Sequence, residues 1–136
     1  MDALTADRST PARANSDFSF PVAAATKIFA GSIVAINTAT TYAIKGTVAT
    51  TLKAVGMAIE QADNSAGANG DVRVKVRHGL FQFANSAAGD LITLADVGSD
   101  CYIVDDQTVA KTNGAATRSV AGKVRDVDAG GVWVEF

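Results

Sequence analysis

The chain has 136 residues, the length of one compact domain, which leaves no room for a second catalytic domain. With 12 basic and 14 acidic residues the net charge is −2, so no strong field is available to hold nucleic acid or an anionic membrane as the main partner. The single cysteine, Cys101, excludes an internal disulfide, and the longest apolar runs are far shorter than the roughly 20 residues of a membrane-spanning helix.

Residues 1–17 are polar and lack a period of either 2 or 3.6 residues, which predicts an N-terminal arm outside the core. Two interpretations stay open: a disordered tail, or a segment that becomes ordered on a neighbouring subunit by strand addition. In the second interpretation Arg8, Pro11 and Arg13 are the candidate contact residues. The arm lacks the apolar segment of a secretory signal, so we expect the protein to stay in the cytoplasm of the cell that makes it.

The core is predicted to begin at Phe18, where apolar and polar residues start to alternate, and Pro21 places this first strand at a sheet edge. A series of short apolar or β-branched segments then predicts further strands at residues 32–37, 42–45, 47–51 and 55–60. Residues 62–70 are rich in Asp, Asn, Ser and Gly, which predicts a surface loop.

The clearest strand signal covers residues 72–77, where three valines alternate with three basic residues. The basic residues are Arg73, Lys75 and Arg77, called the basic row below. Such a row favours a solvated face that pairs with acids on neighbouring strands. The alternative is contact with an acidic partner or with nucleic acid.

The remainder of the chain continues in short strand signals, at residues 80–83, 101–104, 108–111, 119–127 and 132–136, with the last two joined as a hairpin. One short helix is predicted at residues 90–97, with Gly98 as its stop. Many short strands without a βαβ rhythm predict an all-β fold, a small antiparallel β-barrel or sandwich formed by residues 18–136 as a single domain. No repeat of 20–50 residues is found in the sequence.

Few residues offer chemistry. His78 is the only histidine and stands at a predicted strand end, where an exposed imidazole is the simpler interpretation. Cys101 lies in an apolar strand and is predicted to be a buried, unreactive thiol. The acidic residues fit no calcium loop, and no phosphate-binding loop is present, so neither enzymatic activity nor a metal or cofactor site is predicted. Trp133 faces away from Val132 and Val134, and an interface or a second core explains it equally well.

Several stretches together resemble the capsid cement, or decoration, proteins of tailed bacteriophages. The stretches are residues 20–26, 28–34, 63–67, 72–77, 79–86, 95–98, 102–109, 121–128 and 131–135. The resemblance covers residues 18–136, and residues 102–135 are its most specific part. The arm is not covered.

This resemblance implies a barrel of the β-tulip type that binds the outer surface of an expanded capsid and stabilises it. The implied partners are the major capsid protein of the phage and further copies of the chain, with a trimer favoured over a dimer. The implied location is the virion, after synthesis in the bacterial cytoplasm, and neither nucleic acid nor a membrane is a direct partner. The alternative function is an adhesion or glycan-binding module on a phage head or fibre, suggested by Trp133, Tyr42 and Tyr102.

Overall fold

The computed structural model describes residues 2–136, which form twelve β-strands and two short 3₁₀ turns. Met1, the first residue of the predicted arm, lies outside the described residues. The strands are β1 Asp17–Pro21, β2 Thr26–Ile28, β3 Ile33–Asn37, β4 Tyr42–Lys45, β5 Leu52–Ala58, β6 Ala62–Asn64, β7 Arg73–Arg77, β8 Leu80–Phe83, β9 Asp100–Ile103, β10 Val109–Ala110, β11 Val120–Asp128 and β12 Gly131–Glu135.

The strands form two five-stranded antiparallel sheets and a two-stranded ribbon. The first sheet has the order β1-β7-β5-β3-β4, the second has the order β8-β12-β11-β9-β10, and the ribbon pairs β2 with β6. The predicted all-β, antiparallel class is therefore confirmed. Neither sheet is closed into a barrel, because among residues 2–136 its edges are joined only by one parallel bridge, Val22–Ala43 in the first and Ala84–Thr108 in the second. Of the two predicted architectures, the structure is consistent with the sandwich.

The two sheets repeat one topology. If β1, β3, β4, β5 and β7 are matched in chain order with β8 to β12, the two sheet orders become identical. The hydrogen bonds also match: the Gly31 N–H donates to the Ala58 carbonyl at 2.8 Å, and the Gly98 N–H donates to the Val124 carbonyl at 2.7 Å. Each repeat has a bulge at the same place, where β3 pairs with β5 and β9 pairs with β11. The repeat spans residues 17–77 and 80–135, a longer period than the 20–50 residues considered from sequence.

The structure has two separate apolar cores, one within the first repeat and one between the two repeats. The inner side of the first sheet, with Val34, Val74 and Val76, packs against Ile28 and Ala62 of the ribbon. The inner side of the second sheet packs against the outer side of the first. The buried residues of this larger core are Ile33, Ala35 and Leu52 from the first sheet, Phe83, Cys101, Ile103, Val109, Ala121, Val124, Val132 and Val134 from the second repeat, and Ile92 from a connection.

The predicted helix at residues 90–97 is wrong. Residues Ala88–Asp90 and Leu94–Asp96 form two separate 3₁₀ turns. Leu91 adopts an extended backbone (φ −64°, ψ 121°) that interrupts the helical path. Leu91 and Leu94 are 45% and 67% exposed, so the apolar spacing that predicted a helix does not face a core.

The predicted surface loop at residues 62–70 is only partly present, because its first three residues form the ribbon strand β6. Asn64 is buried, and its Nδ2 donates to the carbonyls of Ala23 and Ala68, both at 2.9 Å. These bonds tie the ribbon to the end of β1. The polar composition that predicted a solvated loop here supplies a buried amide instead.

The other strand predictions fare differently. The predicted strand at residues 47–51 is not formed, whereas β7 shows the predicted alternation of buried valines and exposed basic residues, and β11 and β12 form the predicted hairpin. β1 is an edge strand, as Pro21 predicts. Asp17, assigned from sequence to the arm, is the first residue of β1, while residues 2–16 are exposed and carry no helix or strand.

Among residues 2–136, no helix has the length and apolar character needed to cross a membrane.

Candidate functional site

The basic row lies on β7, between β1 and β5, with its side chains exposed while Val74 and Val76 fill the core beneath. The Arg77 guanidinium donates two hydrogen bonds to the carboxylate of Asp17, at 2.8 and 3.1 Å, directly across the β1–β7 pair. The Lys75 Nζ lies 3.4 Å from Glu60. Each of these cations therefore has an acidic neighbour in the same chain.

The third member of the row uses the backbone instead. Arg73 donates from Nε to the Ser19 hydroxyl at 2.9 Å and from a terminal nitrogen to the Ser19 carbonyl at 2.8 Å. The guanidinium of Arg77 holds the pKa of the Asp17 carboxyl below its ordinary value of 3.8, chiefly through its hydrogen bonds, and the same contact raises the pKa of Arg77. The row is thus an accessible surface on which two of the three cations have acidic neighbours and the third, Arg73, is held by Ser19. This is the geometry of the solvated, cross-strand-paired interpretation, and its use as a contact surface stays a prediction.

The base of the arm packs beside this surface. The Arg13 guanidinium carbon lies 4.9 Å from the centre of the Phe18 ring, and the Ser16 carbonyl accepts a hydrogen bond from the backbone N–H of His78 at 2.8 Å. Arg13 and Lys75 line one open cavity of about 430 Å³, together with Asp17, Phe18, Ser19 and Ile59. The structure therefore brings Arg13 and the basic row together.

The other two arm residues are placed differently. Arg8 and Pro11 are exposed, and within residues 2–136 no ion pair or side-chain hydrogen bond holds either of them. Because the chain fixes them to no surface of its own, their predicted contact role is untested by the fold.

Trp133 lies in the middle of β12, opposite Gln82 of β8. Its indole N–H donates to one carboxylate oxygen of Asp128 at 3.0 Å, and the Gln82 amide donates to the other at 2.8 Å. These bonds, led by that of the indole, lower the pKa of Asp128. Trp133 is half-buried and belongs to neither core, so its ring is a fixed, partly accessible aromatic surface.

Trp133 and the basic row lie on different sheets. They do hold equivalent positions in the two repeats, because Lys75 lies opposite Ser19 of β1 just as Trp133 lies opposite Gln82 of β8. A repeat of topology has thus placed a cation in one sheet and an aromatic ring in the other at the same point of the fold.

The two residues with potentially reactive side chains, Cys101 and His78, are packed against other residues of the fold. Cys101 is fully buried, and burial raises the pKa of its thiol to about 11, so the thiol is protonated at neutral pH, as the sequence predicts. The His78 ring, half-buried rather than exposed, packs edge-on against Phe18 with 5.0 Å between ring centres. Among residues 2–136, no group of three or more His, Cys, Asp or Glu side chains is arranged to hold a metal ion.

Two surface features were missed from the sequence. One is an apolar patch at the 3₁₀ turns, where Leu91, Leu94 and Val97 are each at least 45% exposed. The other is an open groove between β2 and β4, beside Phe29, whose side chain is 52% exposed. The adjacent residues Ile28 and Phe29 were a usable signal for the groove. Two neighbouring large apolar residues in an extended segment cannot both face one core, so one of them must be exposed.

Comparisons of the chain with known protein families, with curated proteins and with solved structures gave no match. The resemblance to capsid decoration proteins therefore stays a prediction that depends on the sequence stretches given above.

Proposed function

We propose that this protein is a structural virion protein that binds the outer surface of an expanded phage capsid and cements it. Its partner is the major capsid protein, it acts as a homo-oligomer with a trimer favoured over a dimer, and it has no catalytic activity and needs no cofactor. It is made in the bacterial cytoplasm and incorporated into the virion. In this proposal the two repeats together correspond to the β-tulip domain of the decoration family.

One observation carries most of the proposal beyond the resemblance: the arm and the basic row meet at one surface. Arg13 and Lys75 line the same cavity, and Arg77 and Asp17 next to it are each about half exposed. A partner can therefore exchange the internal ion pairs for its own without first unfolding a strand. Charges of both signs at the surface favour orientation of a partner over non-specific attraction.

The mechanism follows from linkage. A protein that binds the expanded shell but not its precursor stabilises the expanded state by the difference between the two binding free energies. Engagement by an oligomer multiplies this effect, because the second and third contacts form at high effective concentration. A small contact area per chain is then sufficient to resist the pressure of packaged DNA.

The test is co-sedimentation of the purified protein with empty heads of its phage, before and after expansion. We expect saturable binding to expanded heads only, and weaker binding for the double variant Arg8→Glu/Arg13→Glu. The matched control is Lys53→Glu/Lys123→Glu, which makes the same charge change at exposed lysines of β5 and β11. Absence of binding to either kind of head, or virions that lack the chain in stoichiometric amount, would refute the cement function.

A second function is favoured by one specific observation, the fixed and half-buried Trp133. Aromatic rings held by a neighbouring carboxylate, as Trp133 is by Asp128, provide the flat surface on which sugar rings pack. A glycan-binding module predicts saccharide binding that is lost in Trp133→Ala and kept in Lys75→Ala, its equivalent position in the first repeat. A flat titration against a glycan panel would remove this candidate.

A further inference from the structure

We propose that the groove between β2 and β4 binds the acidic first residues of the N-terminal arm of a second copy of this chain, which add a strand to the free edge of β4. The inference concerns self-assembly and does not depend on capsid binding. Its occupant is the segment from Asp2 to Asp7, and its contact residues are Lys27, Phe29, Ile44 and Lys45.

The groove has a volume of about 360 Å³ and is open to solvent along one side. Its lining includes the apolar side chains of Phe29 and Ile44 and the two cations Lys27 and Lys45. The Lys27 Nζ lies 5.0 Å from the centre of the Phe29 ring. A groove whose lining combines an exposed aromatic ring with two cations suits an extended segment that has both an apolar and an acidic side chain.

The backbone of β4 presents unused hydrogen-bonding groups to this groove. Ile44 pairs with Ala35 of β3, and the Gly46 N–H donates to the Ile33 carbonyl at 2.8 Å, so the peptide groups of Ala43 and Lys45 point away from β3. The Ala43 carbonyl is satisfied by the Ala23 N–H at 3.0 Å. β2 pairs with β6 and not with β4, and within residues 2–136 the Lys45 N–H has no backbone partner.

The second repeat shows how the equivalent edge is satisfied. Lys111 follows β10 as Lys45 ends β4, and the Lys111 N–H donates to the Asp90 carbonyl at 3.0 Å. The carboxylate of Asp90 in turn accepts from the Thr112 hydroxyl and lies 3.2 Å from Arg118. The chain itself thus covers this edge with a segment that carries an aspartate. The first repeat has a lysine at the same position of this edge, and no segment is hydrogen-bonded to the backbone there.

The start of the arm has the side chains that the groove lacks. Leu4 is 73% exposed, which is unfavourable for a leucine in water, and aspartates stand on either side of it at positions 2 and 7. Seated along β4, Leu4 covers Phe29 and Ile44 while the two carboxylates approach Lys27 and Lys45. Residues 2–7 thus match the groove in both polarity and charge.

A second copy is the occupant because of where the arm begins. The arm joins β1 at Asp17, whereas the groove opens past Val22, at the opposite end of that strand, since Val22 is bridged to Ala43 in parallel. Arg13 and Ser16 hold the base of the arm at the Asp17 end. Within one copy the arm does not occupy the groove, because Leu4 is 73% exposed and residues 2–7 are absent from the lining. Residues 2–12 ahead of the anchor span up to roughly 35 Å when extended, which is enough to reach an adjacent molecule.

The test uses an equal mixture of ¹⁵N-labelled and unlabelled full-length protein, joined by a zero-length carbodiimide and digested for mass spectrometry. We expect amide cross-links between Asp2 or Asp7 and Lys27 or Lys45. Some of these cross-linked peptide pairs should join a labelled to an unlabelled peptide, as contact between two copies requires. Cross-links found only within one copy would overturn the second-copy assignment. Absence of any cross-link between these residues would overturn the groove.

Variants provide an independent measurement by sedimentation equilibrium. Lys27→Glu/Lys45→Glu is expected to weaken self-association about tenfold or more, as is Asp2→Lys/Asp7→Lys, and the two changes in one chain are expected to restore it. The matched control Lys53→Glu/Lys123→Glu leaves the association constant unchanged. Equal weakening by the control would refute the proposal, and because no capsid is present, that failure is separate from failure of the cement function.

Discussion

The two five-stranded sheets share one topology but are covered in different ways. The inner side of the first sheet is filled by the ribbon, through Ile28 and Ala62. The inner side of the second sheet is filled by the outer side of the first, through Ile33 and Leu52. The outer side of the second sheet therefore has no layer over it within residues 2–136. What differs between the repeats is the layer above each sheet, not the sheet itself.

Residues at equivalent positions of the two sheets differ in polarity according to whether the outer side is covered. Ile33 lies opposite Met57 on the covered outer side of the first sheet, and Asp100 lies opposite Lys123 at the same place in the second. Asp100 and Lys123 form an ion pair at 2.7 Å, with both side chains exposed by 40% or more. One position of the repeat thus carries an apolar pair where it is covered and an ion pair where it faces water, as burial costs require.

Two equivalent glycines give the largest expected effects. A Cβ at Gly56 of β5 would lie under 3.0 Å from the backbone oxygen of Arg77, and a Cβ at Gly122 of β11 would meet that of Glu135 in the same way. We expect Gly122→Ala to cost about 2–3 kcal/mol and Gly56→Ala about 3–5 kcal/mol, because Gly56 also has a φ of +138°. Urea unfolding measures both.

The control for this prediction is Gly89→Ala. Gly89 lies in the first 3₁₀ turn with open space around its Cα, so the change is expected to be nearly neutral. Equal free energies of unfolding for Gly56→Ala and the wild type would show that the sheets are not packed as described. A large effect at only one of the two strand glycines would show that the repeats differ at this contact.

The sequence predicted the strands whose two faces differ, and it could not predict the layers. β7 alternates buried valines with exposed cations, so its period of two was visible. β3 is nearly all apolar because it is covered on both sides, Val34 by the ribbon and Ile33 by the second sheet. Such an apolar run does not show which layer covers each side.

The repeat could not be recognised from the sequence for the same reason. Equivalent positions such as Ile33 and Asp100 lie in different environments, so their residue types differ. Among the candidate residues, the basic row was predictable from its strand. Asp17 and Glu60 as its partners were not, because ion pairs between strands depend on register.

The difference between covered and open outer faces predicts the second effect. Ile33→Ala removes a fully buried side chain from the core between the sheets, for which we expect a loss of about 3 kcal/mol. Asp100→Ala, at the equivalent position, breaks only an exposed pair and is expected to cost under about 1 kcal/mol. Denaturant unfolding of both variants tests the assignment of covered and open faces, and similar losses for the two would contradict it.

Cys101 sharpens the comparison through pH, because its equivalent in the first repeat, Val34, has no titratable group. Burial raises the pKa of the folded thiol from 9.0 to about 11, so the unfolded chain ionises first. The stabilisation is complete below pH 9 and is lost as the pH rises to about 11, a change of about 2–3 kcal/mol. We expect Cys101→Ala to lack this alkaline loss in unfolding experiments, although its stability at neutral pH is lower. An identical slope above pH 9 in both proteins would contradict burial of the thiol.

The ion pair of Asp17 with Arg77 gives the smallest effect, because both side chains are about half exposed. The pKa of Asp17 is lowered in the folded protein, so its stabilisation is present above pH 3.8, the ordinary value, and is lost as the pH falls through the lower folded pKa. We expect Asp17→Asn to lower Tm slightly at neutral pH, and we expect this difference in Tm to be smaller at pH 2. Asp106→Asn is the matched control, because the Asp106 side chain makes no hydrogen bond or ion pair among residues 2–136, and it should change Tm at neither pH. A loss in Asp17→Asn that persists undiminished at pH 2 would mean that Asp17 supports β1 by packing rather than by charge, and the accessible charges of the basic row would then lose their role in fixing the edge strand.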